Sequence, residues 1–354
     1  MTFSSELRRS GARVLAPVAL AAALLAACGG GTSQVQAFRP DRLIVLGDES
    51  SVIEDFVDAD GKHDGFKYSI NDRSSTATGK CQALPIAAQS VAALYGFAFQ
   101  QCNPLAITPK AFILAVRGAT VGGLSNKLAS QLQNVTTATQ GNALGATDLV
   151  MLLIGSNDII DLYERTLSGL SPADALAQAQ SRGTAAAEIV NQLLATGARG
   201  LVITVPDLSL SPYAVNANKT NPGASALLSS LTYEFNAYVR TRIDASRFDG
   251  RNYGLVLADD IVAAMSKLPT SFLTAPAVAS ASACLIADGL GADLVASELL
   301  KCNSTATVSG ATEVKLVDGA VSGSHLWASD RHIGPSAHAR IGSQAQSRAA
   351  TNPF

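Results

Sequence analysis

Four short apolar runs stand out along the chain: Arg42–Leu46, Leu149–Ile154, Gly200–Val205 and Tyr253–Ala258. Each is too short for an ordinary helix and reads as a strand buried on both faces. Between them, apolar positions recur at helical spacing. Leu84 to Tyr95 is Ala-rich with that period. Ser171-Pro172-Ala173-Asp174 reads as an N-cap followed by Pro at the first helical position. The helix it opens is expected to reach Thr196, with a break near Gly183, and to end at Gly197. A further helix carries Leu227, Leu228, Leu231, Phe235, Tyr238 and Val239 as a one-sided stripe, expected to pack into the core. Strands alternating with helices imply a mostly parallel sheet covered on both faces. Segments 59–83 and 303–323 are polar and rich in Gly, Ser and Thr, and read as loops or small hairpins.

The first residues read as an address. Arg8, Arg9 and Arg13 precede an apolar segment from Val14 to Ala27, too short and too Ala-rich for a comfortable membrane span. It ends in Leu25-Ala26-Ala27-Cys28, followed by three glycines. That pattern resembles a bacterial lipobox, which implies cleavage before Cys28 and acylation of its thiol. The expected organisation is a signal peptide over 1–27, a lipid-anchored flexible tether over 28–38 and one domain over 39–348. The formal net charge is −2, and losing the three arginines with Glu6 makes the remainder more acidic. Such a balance gives no support for nucleic acid as a partner. Four further cysteines, Cys81, Cys102, Cys284 and Cys302, fit an exported chain and lack metal-ligand spacing. Three pairings are open. The local one, Cys81–Cys102 and Cys284–Cys302, is expected, each bridge contributing about 3 kcal/mol through loop closure.

In parallel sheets, ligand sites gather beyond the carboxyl ends of the strands. Four blocks carry the candidate chemistry. Gly47-Asp48-Glu49-Ser50 follows the first run, with Ser51 next. Arg117-Gly118-Ala119-Thr120 follows the apolar run Ala111–Val116, and a Gly there lets its backbone N–H approach an oxyanion. Gly155-Ser156-Asn157-Asp158 follows the second run, where an Asn side chain can donate to the same oxyanion. The last block is Trp327-Ala328-Ser329-Asp330-Arg331-His332.

Taken in this order, the blocks resemble the GDSL, or SGNH, hydrolase family over positions 43–342. The Gly-x-Asn-Asp of the third block is the most specific match. Ala198–Ile203 into Pro206-Asp207-Leu208, Ser211-Pro212 and Glu234-Phe235-Asn236 support it. The resemblance implies a three-layer flavodoxin-like α/β fold and ester hydrolysis through an acyl-enzyme, with no cofactor or metal. It implies Gly118 and Asn157 as oxyanion donors and His332 as the base. Glu49 stands where the family has its serine, and Ser329 where it has the acid partner of the histidine. Ser50 and Asp330, each one residue along, are the expected replacements, with Ser51 a second hydroxyl candidate.

Other residues are assigned plainer roles. His338 is expected to pack or cap a final helix, and His63 and His325 to lie at the surface. Trp327 is expected in a wall, and Asp259-Asp260 in a solvated loop instead of a metal pair. The function this implies is an envelope-anchored serine esterase or lipase-like hydrolase. Its substrate would be a lipid, a short-chain ester or an acetylated glycan, and its membrane contact the lipid on Cys28. The alternative is a catalytically inactive SGNH-fold lipoprotein that binds an acylated lipid or glycan at the cell envelope.

Overall fold

A computed structural model describes residues 38–74, 80–122, 127–247, 251–287 and 290–351. The expected signal segment, Cys28 and the tether up to residue 37 lie outside the described residues.

The four apolar runs become four adjacent strands because each carries side chains that only a doubly covered sheet can bury. They are β1 (Arg42–Gly47), β5 (Asp148–Leu153), β6 (Arg199–Ile203) and β7 (Tyr253–Val256). Leu43, Ile44, Leu149, Met151 and Leu201 are fully buried. Two short strands that pair antiparallel, β2 (Ile53–Glu54) and β3 (Phe66–Lys67), lie between β1 and a fifth sheet member, β4 (Ala111–Ile113). The sheet order is β4-β1-β5-β6-β7, every neighbour pair parallel. Among these five, the chain order is 2-1-3-4-5, the flavodoxin-like winding. The strand direction therefore puts the ends of β1, β4 and β5 along one edge, where the topology switches. The expected three-layer α/β class is the one observed. A separate pair, β8 (Val278–Ser282) and β9 (His325–Trp327), carries the last sequence block.

The helices, in chain order, are α1 (Ala87–Leu94), α2 (Leu128–Gln133), α3 (Val135–Ala138), α4 (Ser156–Leu167), α5 (Pro172–Ala195), α6 (Pro212–Thr220), α7 (Ala224–Arg242), α8 (Ala258–Lys267), α9 (Pro269–Phe272), α10 (Ala292–Leu300) and α11 (Pro335–Thr351). Ser171 caps α5 as expected, its hydroxyl accepting from the Asp174 N–H at 3.1 Å. On α7, Leu228, Leu231, Phe235 and Val239 are buried in the core. The expected break at Gly183 does not occur, and α5 runs through it. The glycine answers to packing instead: a Cβ there would lie 2.4 Å from the backbone oxygen of Phe235 and 3.0 Å from the Tyr238 Cβ. The missing side chain lets α5 and α7 approach at that point.

Disulfides join Cys81 to Cys102 and Cys284 to Cys302, closing loops with sequence separations of 21 and 18. Two such bridges point to an oxidising, extracytoplasmic compartment. Among the described residues, no helix is long and apolar enough to cross a membrane.

Two minor expectations change, and a third is met. His325 is buried on β9, its Nδ1 2.8 Å from Ser324 Oγ, and burial pushes its pKa down. A strand that pairs with β8 and continues under α11 turns this residue inward. Asp259 opens α8 and pairs with Arg240, with the Thr204 hydroxyl donating to it at 2.7 Å. It is a helix-start carboxylate held by a cation, not part of a solvated loop. His338 is buried on α11, with Nδ1 3.5 Å from the Ala87 N–H at the start of α1, consistent with a packing and capping role.

The Gly183 contact predicts an inverted helix-propensity effect. Alanine in place of glycine gains about 1 kcal/mol of intrinsic helix preference. Here Gly183→Ala is expected to destabilise by a net 1–3 kcal/mol, roughly the cost of overpacking, read from denaturant midpoints at unchanged slope.

Candidate functional site

Everything at the switch edge begins at Gly47. Its φ is +139°, and a Cβ there would lie 2.0 Å from the Leu153 carbonyl oxygen. Only glycine fits this close approach of β1 to β5. Gln131 on α2 clasps the same residue from the other side: its Oε1 accepts the Gly47 N–H at 2.7 Å and its Nε2 donates to the Gly47 oxygen at 2.8 Å. The chain then makes one 3-10 turn over Glu49–Ser51, capped by Asp48, whose Oδ1 accepts from the Ser50 N–H at 3.1 Å.

That turn decides which side chain faces the site. Successive residues of a 3-10 turn point about 120° apart. Glu49 points to the cradle. Its Oε2 accepts from the Gly118 N–H at 3.0 Å and from Asn157 Nδ2 at 2.9 Å. Its Oε1 lies 3.2 Å from His332 Nε2. Ser50 therefore faces away, and no hydrogen bond joins it to His332. Ser51 is fully buried, with an Oγ that has no partner among the described residues. The nucleophile role expected of Ser50 does not match this geometry, because the turn is not displaced by a residue and Glu49 holds the place.

The expected donors do converge. Gly118 sits in a turn after β4 with φ +70°. Asn157 lies in the first turn of α4, after Gly155, where a Cβ would meet the Phe235 ring at 2.5 Å. Asp158, the next residue, binds the two segments together. It accepts from the Val121 N–H at 2.9 Å, and Arg182 Nη1 lies 3.3 Å from it.

His332 is carried by the tight return after β9. The Ala328 N–H donates to the His332 oxygen at 2.8 Å, which brings residues 329 and 332 together and turns 330 outward. Ser329 Oγ lies 2.7 Å from His332 Nδ1 and accepts the His332 N–H at 3.2 Å. Asp330 does not reach the ring itself: it engages Arg331, which donates from Nε at 3.0 Å and from Nη2 at 2.8 Å, and its Oδ1 lies 3.5 Å from Ser329 Oγ. The acid-partner role expected of Asp330 is thus not what the geometry shows, since Ser329 occupies Nδ1. Arg331 also stacks over Tyr213, 4.6 Å from the ring centroid. A cavity of about 400 Å³ opens on this side, lined by Tyr163, Glu164, Tyr213, Asp330 and Arg331 among others.

The three donors also set the charge. Burial pushes the Glu49 carboxyl up, but the hydrogen bond and charge of His332, with the Asn157 amide, outweigh it and hold the pKa at about 2. The adjacent Asp48 goes the other way: burial, and then the charge of Glu49, raise it well above the usual carboxylate range. Its Oδ2 is buried and has no partner among the described residues. The pKa values of two neighbouring carboxyls are thus pushed in opposite directions. Burial likewise raises Asp158 to about 6, against the hydrogen bonds and the charge of Arg182 that favour its ionised form. Among the described residues, no group of three or more His, Cys, Asp or Glu could hold a metal ion.

Gly118, Asn157 and His332, expected at the site, converge on Glu49, whereas the Gln131 clasp and the tying role of Asp158 were not anticipated. Asp158 stood inside the third block. Gln131 lies in an unremarkable amphipathic segment, with no signal to single it out.

No family model matches the chain. No curated protein matches it either. Among solved structures, one similar chain is described as "Crystal Structure of TesA", at 14% identity, covering 67% of this chain and 87% of that chain, with a TM-score of 0.27. A likeness that slight carries no weight on fold or activity.

The lowered pKa of Glu49 has a defined pH signature. Its folded value lies below the ordinary glutamate value of 4.5, so its contribution to stability is present above that pH and disappears as pH falls toward about 2. In Glu49→Gln that dependence is absent. The stability difference between wild type and Glu49→Gln is expected to shrink by about 2–3 kcal/mol between about pH 5 and about pH 2, measured by urea unfolding. Asp48 opposes this trend in both proteins, more weakly in Glu49→Gln, where the charge of Glu49 no longer helps to raise it.

Proposed function

We propose that the chain is a cell-envelope hydrolase on the SGNH plan in which a carboxylate, Glu49, takes the place of the nucleophilic serine. The observation that carries this reading is the division of the Glu49 oxygens: one under the Gly118 and Asn157 donors, the other against the His332 ring. Nucleophile position, oxyanion donors and base are thus all present, with one functional group exchanged. Buried carboxylates do act as covalent nucleophiles when positioned and ionised. An acyl-enzyme on Ser50 has no support in this arrangement. The two disulfides favour an exported chain, and the lipobox-like run before Cys28 supports a lipid anchor there as part of the proposal.

A second reading is favoured by one specific feature of the same site. Every donor of the cradle is satisfied from within the chain, as in a site that no longer turns over. On that reading the protein binds an acylated lipid or glycan at the envelope.

The test is labelling by a fluorophosphonate, which requires an activated hydroxyl. The wild type is expected to remain unlabelled. Glu49→Ser is expected to label, because the exchange restores a hydroxyl over an intact cradle and imidazole. Adding Ser329→Asp is expected to speed labelling further, since a carboxylate on Nδ1 is worth up to about 10⁴-fold in serine hydrolases. Labelling of the wild type at Ser50 would restore the serine-esterase reading. A folded Glu49→Ser that never labels would leave the non-catalytic one.

A further inference from the structure

The site's geometry limits which electrophile Glu49 can attack. A planar acyl group, attacked by any nucleophile, develops its negative charge on the carbonyl oxygen, which needs the oxyanion donors. Here those donors already hold Glu49 Oε2. Attack on an ester would compete with the nucleophile's own second oxygen for the same two hydrogen bonds. Attack on a saturated carbon develops no oxyanion and leaves the cradle as it stands.

From this we infer that Glu49 is a nucleophile toward saturated carbon: the substrate is an alkyl compound whose leaving group departs as a weakly basic anion, and the reaction passes through an ester on Glu49. The inference rests on the reading above that Glu49 holds the nucleophile's place. It adds the substrate class and gives the oxyanion donors a task.

In the first step, Oε1 supplies an electron pair to the carbon. The Oε1–C bond forms, the bond to the leaving group breaks, and the leaving group departs with its pair as an anion. In the second step, a water gives a proton to His332 Nε2 while its oxygen bonds to the Glu49 carboxyl carbon. The displaced π pair moves onto Oε2, between the Gly118 N–H and Asn157 Nδ2. The tetrahedral centre then collapses. The bond from the carboxyl carbon to Oε1 breaks, the departing alkoxide takes the proton from Nε2, and an alcohol leaves. The water oxygen stays in the Glu49 carboxyl, which loses its remaining proton to solvent. The sum is alkyl compound plus water giving alcohol, leaving-group anion and a proton.

Ser329 fits this cycle better than an aspartate would. A hydroxyl both donates and accepts, whereas a carboxylate only accepts. When the ring carries a single proton on Nε2, it can donate to Oε1 while Nδ1 accepts from the Ser329 hydroxyl. Once Glu49 is an ester, its charge is gone. The ring can then carry its proton on Nδ1, donating to Ser329 Oγ, with Nε2 free to take a proton from water. Ser329 Oγ, 2.7 Å from Nδ1, serves both tautomers without moving. The low basicity that the three donors impose on Glu49 also matches a leaving group that is itself a weak base.

The experiment uses the full chain with primary alkyl bromides from ethyl to decyl, in water enriched in heavy oxygen. Bromide release and the mass of the peptide containing Glu49 are both read. The expected result is bromide release with one heavy oxygen entering Glu49 per turnover, both abolished in Glu49→Gln. In His332→Gln, an alkyl ester on Glu49 is expected to accumulate to near one per chain. Bromide release without heavy oxygen in Glu49 would overturn the inference, because water would then attack the carbon directly. Neither release nor adduct with any bromide in the series would overturn it as well. If Glu49→Ser labels with fluorophosphonate while the bromides stay inert, the site reading survives and only the saturated-carbon assignment fails. If the wild type labels at Ser50, both fail. Should Glu49→Gln not fold, the isotope position in the wild type still decides.

Discussion

One buried carboxylate organises the working edge of this protein. Glu49 gathers a backbone N–H from the turn after β4, a side-chain amide from α4 and an imidazole from the return after β9. These three segments come from distant parts of the chain. Each would present an unsatisfied or half-satisfied polar group to the same small space if the carboxylate were absent. The position of Glu49 depends in turn on Gly47, where no side chain could be accommodated, and on the Gln131 clasp. The chain of dependence therefore runs from a glycine packed against β5, through one 3-10 turn, to the charge at the centre.

That charge is sustained against strong desolvation. Glu49 and Asp48 are neighbours in sequence and both buried, so both cannot be ionised cheaply. The structure resolves the conflict by unequal solvation. Glu49 has three donors, whereas Asp48 has the Ser50 N–H on one oxygen and nothing among the described residues on the other. The carboxyl whose pKa rises is the one with fewer donors. Asp158 repeats the theme on a smaller scale, where hydrogen bonds and Arg182 do not fully offset burial.

How much of this could be read from the residues alone differs by scale. Four of the five sheet strands were legible because double burial demands continuous apolar runs, and a run such as Leu149–Ile154 has few other uses. Gly118, Asn157 and His332 were legible because strand ends in a parallel sheet converge, and their residue types donate or accept as such a site requires. The partners within each turn were not legible. Whether residue 49 or 50 faces the cradle, and whether 329 or 330 meets the ring, depends on a rotation of about 120° per residue in a tight turn. Spacing does not encode that phase. The continuity of α5 through Gly183 was hidden for a related reason: the glycine's purpose lies on α7, about fifty residues away. His325 was misplaced because a three-residue strand leaves too little periodicity to tell its inner face from its outer one.

The imidazole of His332 has a carboxylate at one nitrogen and a hydroxyl at the other, the reverse of the order in a serine hydrolase. Either order places a single negative charge beside the ring. Changing residue 49 alone, from one order toward the other, leaves the ring with no acid or with two. Residues 49 and 329 are therefore coupled through the imidazole, and the effect of exchanging one of them depends on which side chain stands at the other.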